Sequence, residues 1–258
     1  MPLATGSIFF VADVHWQPVN NTLQNYSSPL GLFGDFLNEL SQQARVVGGI
    51  KLYVLGDLFD YWLECRNKPF TFYNPHIEAL ARAHDAGVHL HLLFGNRDFA
   101  YGNVLKDLVG ATIVGNNIAL KLGDKHLWLE HGDLLCSRDF RYQIFRKAIR
   151  NPLTRLFASL FTQAQLNRFI TSIRRASTAE IQRKKPASLA IVEQTVLSRI
   201  KRGYDIVMCG HVHQASQRVI SDTKNSGELI TLGSWGTNEG WYACFSEKLE
   251  LKIYKTFK

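Results

Sequence analysis

One pattern constrains this chain more than any other. A short, almost wholly apolar run ends abruptly in Asp, His or Asn, and this happens five times. Ile8–Ala12 leads to Asp13-Val14-His15, Leu52–Leu55 to Gly56-Asp57, and Val88–Phe94 to Gly95-Asn96-Arg97-Asp98. His126–Glu130 leads to His131-Gly132-Asp133, and Ile206–Cys209 to Gly210-His211-Val212-His213. Runs this short, rich in β-branched and aromatic residues, read as buried strands. Helical patterns lie between them: Leu32, Phe33, Phe36, Leu37 and Leu40 share one helical face, as do Leu189, Val192, Val196 and Ile200. Alternating strands and helices predict an α/β fold. From about Glu228 onward, strands joined by Gly and Asn turns are expected. Open α/β sheets gather ligands at the carboxyl ends of their strands. Five strand ends can therefore bring Asp13, His15, Asp57, Asn96, His131, His211 and His213 to one place.

With 258 residues, 46% of them hydrophobic, the chain can build one large domain or a domain carrying an insertion. Residues 138–185 differ in character. Twelve Lys and Arg face only Asp139 and Glu180, a formal +10 in a protein of net +8. Phe140, Ile144, Phe145, Ile149, Leu153, Leu156 and Phe157 are interleaved with these charges. The spacing predicts two or three amphipathic helices, with Pro152 and Pro186 each starting one. The expected organisation is a core of residues 1–137 and 186–258 with a helical cap of residues 138–185 inserted in it. The basic balance suits an anionic partner: nucleic acid, a phosphate-bearing small molecule or an acidic membrane surface. Cys65, Cys136, Cys209 and Cys244 form no CxxC pair and read as reduced. No stretch is long and apolar enough to span a bilayer, and the first residues lack the marks of a signal peptide. A cytoplasmic protein is expected.

The seven residues have a chemical logic. Carboxylate, carboxamide and imidazole donors without thiolate suit Mn²⁺, Fe²⁺ or Zn²⁺. Seven donors exceed one ion's needs and suffice for two if one carboxylate bridges. Asp57 is the natural bridge, because it stands alone on its loop and Gly56 lets the backbone approach. Two ions about 3.5–4 Å apart activate water near neutral pH and clamp a phosphate oxygen. Each motif alone is weak evidence. An Asp-x-His usually has no catalytic role, a Gly-Asp is usually a turn, Gly-Asn-Arg-Asp also suits a turn, and a lone His is usually a hydrogen-bonded core residue. His211 and His213 carry more, since alternate residues of an extended segment share a face.

The ordered set D-x-H, GD, GN-x-D, H-G-D and G-H-x-H resembles the calcineurin-like metallophosphoesterases. That resemblance implies a four-layer sandwich, two mixed sheets flanked by helices, around a dinuclear site. Gly56–Trp62 (GDLFDYW), Gly95–Phe99 (GNRDF), His131–Asp139 (HGDLLCSRD) and Tyr142–Pro152 (YQIFRKAIRNP) are similar, more narrowly, to the bacterial UDP-2,3-diacylglucosamine diphosphatases. The implied reaction is hydrolysis of the pyrophosphate of UDP-2,3-diacylglucosamine to UMP and a diacylated glucosamine 1-phosphate, in lipid A synthesis. By likeness, Asp13, His15, Asp57 and His213 hold one ion, and Asp57, Asn96, His131 and His211 hold the other, with Mn²⁺ expected. Arg97 stands where many members have a proton-donating histidine. By the same likeness, Asp57, Asn96 and Arg97 are catalytic, Arg97 binds phosphate, and Asp139 and Tyr142 contact the sugar region. Ser177, Lys184 and Lys185 are further phosphate or sugar contacts. The cap is expected to enclose acyl chains and to rest on the cytoplasmic face of an anionic membrane. No stable protein partner is expected.

Two departures stand out. Gly210-His-Val-His-Gln-Ala215 replaces the GHTHRP common in the family, and the loop after His15 is long. Other readings make different demands. A nuclease favours base-stacking aromatics beside its basic stripe, whereas the cap's aromatics other than Tyr142 are phenylalanines at core spacing, so nucleic acid is not the expected partner. Another nucleotide-linked phosphodiester remains the alternative substrate. A non-enzymatic scaffold on this fold predicts lost ligands, and none is missing.

Overall fold

A computed structural model of the chain describes residues 7–19, 30–62, 64, 73–151, 153–154, 160–162, 165, 168, 172 and 189–255. The strands are β1 (Ile8–Val11), β2 (Ile50–Val54), β3 (Val88–Leu93), β4 (Thr112–Gly115), β5 (Asn117–Leu122), β6 (Lys125–Glu130), β7 (Ile206–Cys209), β8 (Ser216–Ser221), β9 (Ser226–Thr231), β10 (Glu239–Phe245) and β11 (Leu249–Lys255). The helices are α1 (Gly31–Val47), α2 (Asn74–Asp85), α3 (Asn103–Val109), α4 (Phe140–Ile149) and α5 (Glu193–Ile200).

The strands form a six-stranded sheet, β11-β10-β1-β2-β3-β4, and a five-stranded sheet, β5-β6-β7-β9-β8. Both are mixed. β1, β2, β3 and β4 run parallel, while β10 and β11 join antiparallel. In the second sheet β6, β7 and β9 run parallel, with antiparallel β5 and β8 on its edges.

The two-residue period of a strand sorts the apolar runs into layers. Phe9, Val11, Leu52, Val54, Leu90 and Leu92 face outward onto Phe36, Leu37, Leu80 and Leu105 of the first three helices. Their neighbours Phe10, Ala12, Tyr53, Leu55 and Leu93 face inward and meet Leu127, Leu129, Ile206, Met208 and Ile230 of the other sheet. Trp128, Val207, Cys209 and Leu229 then face Val196, Leu197 and Ile200 of α5. The result is the expected four-layer sandwich: helix, sheet, sheet, helix. Strands buried largely on both faces explain the nearly apolar runs.

All five apolar runs are strands, and α1 carries the expected buried face. The last helix differs. α5 starts at Glu193 because Val192 is extended, at φ −88° and ψ 115°, so Leu189 and Val192 precede the helix. Leu189 instead offers its carbonyl to the Cys136 thiol. β4, β5 and β8 carry no apolar run. They lie at sheet edges with alternating or partial exposure, so the sequence does not announce them. α4 forms as expected, whereas the helix starts expected at Pro152 and Pro186 fall outside the described residues. Cys136, Cys209 and Cys244 are free and buried, and Cys65 is outside the described set. No described helix is long and apolar enough to cross a membrane.

Leu129 is fully buried between the sheets, whereas Val219 is 70% exposed on β8. Leu129→Ala should cost about 2–5 kcal/mol through the cavity it leaves. Val219→Ala should stay within about 0.5 kcal/mol. Urea unfolding of the two variants measures this difference directly.

Candidate metal centre

The chain leaves the parallel strands in an unusual conformation. Asp13, His15, Asp57, His211 and His213 have φ between 51° and 72°, and they are the non-glycine residues with positive φ among those described. All five belong to the predicted set. Such backbone costs on the order of 1–3 kcal/mol per residue and persists where the surroundings over-determine it. Here the surroundings are hydrogen bonds that continue past the ends of the strands. Asp13 donates its backbone N–H to Gly56 O at 3.2 Å, His15 to Asp57 O at 2.9 Å, and Trp16 to Leu58 O at 2.9 Å. Gly56, at φ 89°, is needed for a close approach: a Cβ there would lie 2.6 Å from Gly95 Cα and 2.8 Å from His131 Nδ1.

The structure brings all seven predicted residues together. Asn96 Oδ1 lies 2.8 Å from His131 Nε2 and 2.9 Å from His211 Nδ1. Across the site, His15 Nε2 and His213 Nε2 are 3.1 Å apart, with Asp13 Oδ1 at 3.7 and 3.5 Å from them. Asp57 stands between the two clusters. Its Oδ1 is 3.7 Å from His131 Nε2 and its Oδ2 is 3.8 Å from His15 Nδ1. Triads whose donor atoms all lie within 4.8 Å of one another are Asp13–His15–His213 and Asp13–Asp57–His131. Asp13 belongs to both triads.

These donors are arranged for a cation. His131 gives its Nδ1–H to Leu55 O at 2.9 Å, so that in its neutral form Nε2 turns a lone pair toward Asn96 Oδ1. Asp13 Oδ1 and His15 Nδ1 are buried without a hydrogen-bond partner among the described residues. Buried O and N donors gathered this closely are unfavourable alone and favourable around a divalent ion. Protonation points the same way. Burial, reinforced by Arg97 and neighbouring histidines, holds His15 down at about 2. Burial followed by His131 lowers His211 to about 3, and burial with Arg97 lowers His213 to about 4. These rings are neutral and ready to ligate at pH 7. Burial raises Asp13 to about 7, against the pull of His131, and raises Asp57 as well. Burial opposes a charge on His131, but the carboxylates of Asp57, Asp13 and Asp133 outweigh it and its pKa rises.

Several supporting residues carry no assignment from sequence. Asp98 is fully buried and accepts backbone N–H groups from Asp57 (3.0 Å), Leu58 (2.7 Å), Phe59 (3.2 Å) and Gly95 (3.0 Å), together with the Tyr101 hydroxyl. It ties the loops after β2 and β3 together. Its only trace in the sequence is its place in GNRDF, where a turn reading absorbs it. Asp60, also buried, accepts from Arg97 Nη1 at 2.7 Å. The Arg97 backbone N–H donates to Asp57 Oδ1 at 2.9 Å, and its half-exposed guanidinium sits on the rim with Nε 3.7 Å from Asp57 Oδ2.

The predicted substrate residues fare differently. Asp139 caps α4, accepting the Tyr142 N–H at 3.2 Å. The Tyr142 hydroxyl donates to Asp133 at 2.6 Å, and its ring lies 6.3 Å from that of His211. Ser177, Lys184 and Lys185 lie outside the described residues.

No family model matches the chain. Curated relatives do. It is 32% identical over 81% of its length to a UDP-2,3-diacylglucosamine hydrolase of Cellvibrio japonicus, covering 85% of that protein. It is 31% identical to the protein of that name from Nitrosococcus oceani, over 93% of this chain and 91% of the relative. The chain belongs to the UDP-2,3-diacylglucosamine hydrolase family. A third relative of the same name, from Hahella chejuensis, is 30% identical over 90% of this chain and 91% of its own. Among solved structures, an archaeal phosphodiesterase superposes with TM-score 0.44 at 12% identity, over 96% of this chain and 99% of that one.

A cation entering this site must displace the proton that Asp13 keeps up to about pH 7. His15, His211 and His213 have none to give, whereas His131, whose pKa is raised, gives one as well. Divalent-ion binding near pH 6 should therefore release protons, and affinity should rise with pH until Asp13 is ionised. Calorimetric titration in buffers of different ionisation enthalpy reads the release. A binding enthalpy independent of buffer near pH 6 contradicts it.

Proposed function

We propose that this chain hydrolyses the pyrophosphate of UDP-2,3-diacylglucosamine, giving UMP and 2,3-diacylglucosamine 1-phosphate, with two Mn²⁺ ions. The observation that carries this reading is the convergence of seven O and N donors around Asp57, five of them on left-handed backbone. The names of the relatives supply the substrate. In this reading Asp13, His15, Asp57 and His213 hold one ion, and Asp57, Asn96, His131 and His211 hold the other. When bound, such a pair supplies a water nucleophile near neutral pH and offsets phosphate charge.

The chain's own residues do the rest. Burial keeps three histidines neutral and their lone pairs available. Asp57 presents one oxygen to each cluster. Arg97 is gripped by Asp60 through Nη1, which leaves part of its planar fork at the rim for phosphate oxygens and for charge that builds up in the transition state. An arginine where other phosphoesterases carry a proton-donating histidine suits a pyrophosphate. Whichever phosphorus is attacked, a phosphomonoester departs, and its second pKa near 6 lets it leave without a proton. The proposed organisation keeps residues 1–137 and 186–258 as the core and 138–185 as the cap. The basic cap is proposed to meet the substrate's acyl chains and the anionic cytoplasmic surface of the inner membrane.

Asp57→Ala should abolish turnover in a protein that still folds, and chelation should silence the enzyme until Mn²⁺ is restored. Arg97→Ala should lower kcat by about 10²–10³, the scale for one preorganised transition-state donor. Small molecules co-purifying with the chain, read by mass spectrometry, test the substrate. A diacylated sugar phosphate supports the proposal, and bound nucleic acid overturns it.

A further inference from the structure

Helix α4 is built inside out. It contains no buried residue, and Phe140, Ile144 and Phe145 are exposed. The face turned to the core is polar. Tyr142, Arg146 and Arg150 are spaced four apart and so line one side of the helix. That row converges on a single buried carboxylate. Asp133 Oδ2 accepts the Tyr142 hydroxyl at 2.6 Å and Arg146 Nε at 2.7 Å, with Arg150 Nη2 at 3.8 Å. Gln143 Nε2 donates to the Asp133 backbone carbonyl at 2.8 Å.

The row also reaches a second loop. Arg150 Nη2 donates to Gly95 O at 2.6 Å, immediately before Asn96, and its guanidinium covers the Phe99 ring at 5.0 Å. Asn116 Oδ1, between β4 and β5, receives both Arg146 at 3.0 Å and Arg150 at 2.6 Å. One helix face therefore grips the loop bearing His131 and the loop bearing Asn96, and lays Tyr142 beside His211. Those three residues form one cluster of the centre. None of these contacts touches Asp13, His15 or His213.

We infer that Asp133 and the Tyr142–Arg146–Arg150 row brace the Asn96–His131–His211 half of the metal centre, so that α4 is part of that half. They are positioning residues, acting through the loops that carry the ligands. This inference rests on the two-ion reading above. Groups behind the ligands that fix their orientation typically change metal affinity by about 10–100-fold when removed.

The test is Mn²⁺ titration of the full chain, followed by calorimetry and by the spin resonance of free Mn²⁺. Wild type should hold two ions tightly. Asp133→Ala, and the double variant Arg146→Met with Arg150→Met, should hold one tightly and the other about 10–100-fold more weakly. Asp133→Asn keeps an acceptor and should recover much of the loss. Lys147→Met removes a charge from the outward face and should bind as wild type. In the metal-free double variant, amide exchange at residues 95–98 should quicken while that at residues 13–16 does not. Unchanged affinities in the double variant overturn the inference, as does equal weakening of both sites or an equal loss in Lys147→Met. If wild type itself holds fewer than two ions, the two-ion reading fails instead.

Discussion

The buried carboxylate of Asp98 is the contact on which the centre depends. Buried N–H groups need partners, and those of Asp57, Leu58, Phe59 and Gly95 find theirs in a side chain. Asp98 supplies four backbone N–H groups with an acceptor and holds the loops after β2 and β3 against each other. Once the loops are locked, Asp57 and Asn96 fall on either side of the same space. Charge on Asp98 is costly in that setting. Burial and the nearby Asp57 raise its pKa to about 6, while Tyr101 and the backbone donors pull it back. A neutral Asn could not accept so many donors, since one of its two terminal atoms is itself a donor.

Strain at five of the candidate ligands follows from the same architecture. A strand delivers side chains to alternate faces, whereas a metal centre needs donors from several strands turned toward one point. Left-handed φ at Asp13, His15, Asp57, His211 and His213 makes that turn. Asp and His tolerate this region better than β-branched residues do, so the chemistry of ligation and the conformational need coincide. The cost is offset by the packed sheets beneath. Phe10, Leu55, Leu129 and Met208 are fully or almost fully buried directly under the loops.

Much of this was legible in sequence, for a physical reason. Strands buried on both faces must be apolar throughout, so Asp or His at the end of such a run marks where the chain leaves the core. The five runs and their end residues therefore showed together. The edge strands β4, β5 and β8 did not, because half-exposed strands mix polar and apolar residues as loops do. Asp98 and Asp133 were hidden for another reason. Their work is to accept hydrogen bonds from groups distant in sequence, and no local spacing records that. Asp139 is expected from likeness to contact the sugar region, whereas in the fold its carboxylate caps α4, a local role that its place before the helix does not distinguish from ligand binding.

The polarity of α4 reverses the usual logic of an amphipathic helix. A surface helix turns its apolar stripe inward, because burial of that stripe is what holds it. α4 is held instead by charge-assisted hydrogen bonds to Asp133, whose pKa lies below the usual carboxylate range. Burial alone would raise it, but His131 and Arg146 and then other neighbours overcome that effect. His131 and then Arg146 and Tyr142 of α4 favour the ionised carboxylate, and the carboxylate in turn holds α4 in place. The exposed Phe140, Ile144 and Phe145 are then free to meet an apolar ligand without loosening the attachment. Anchoring by polar contacts on one side leaves the apolar side exposed, and the anchor itself ends at the residues that would hold the metal.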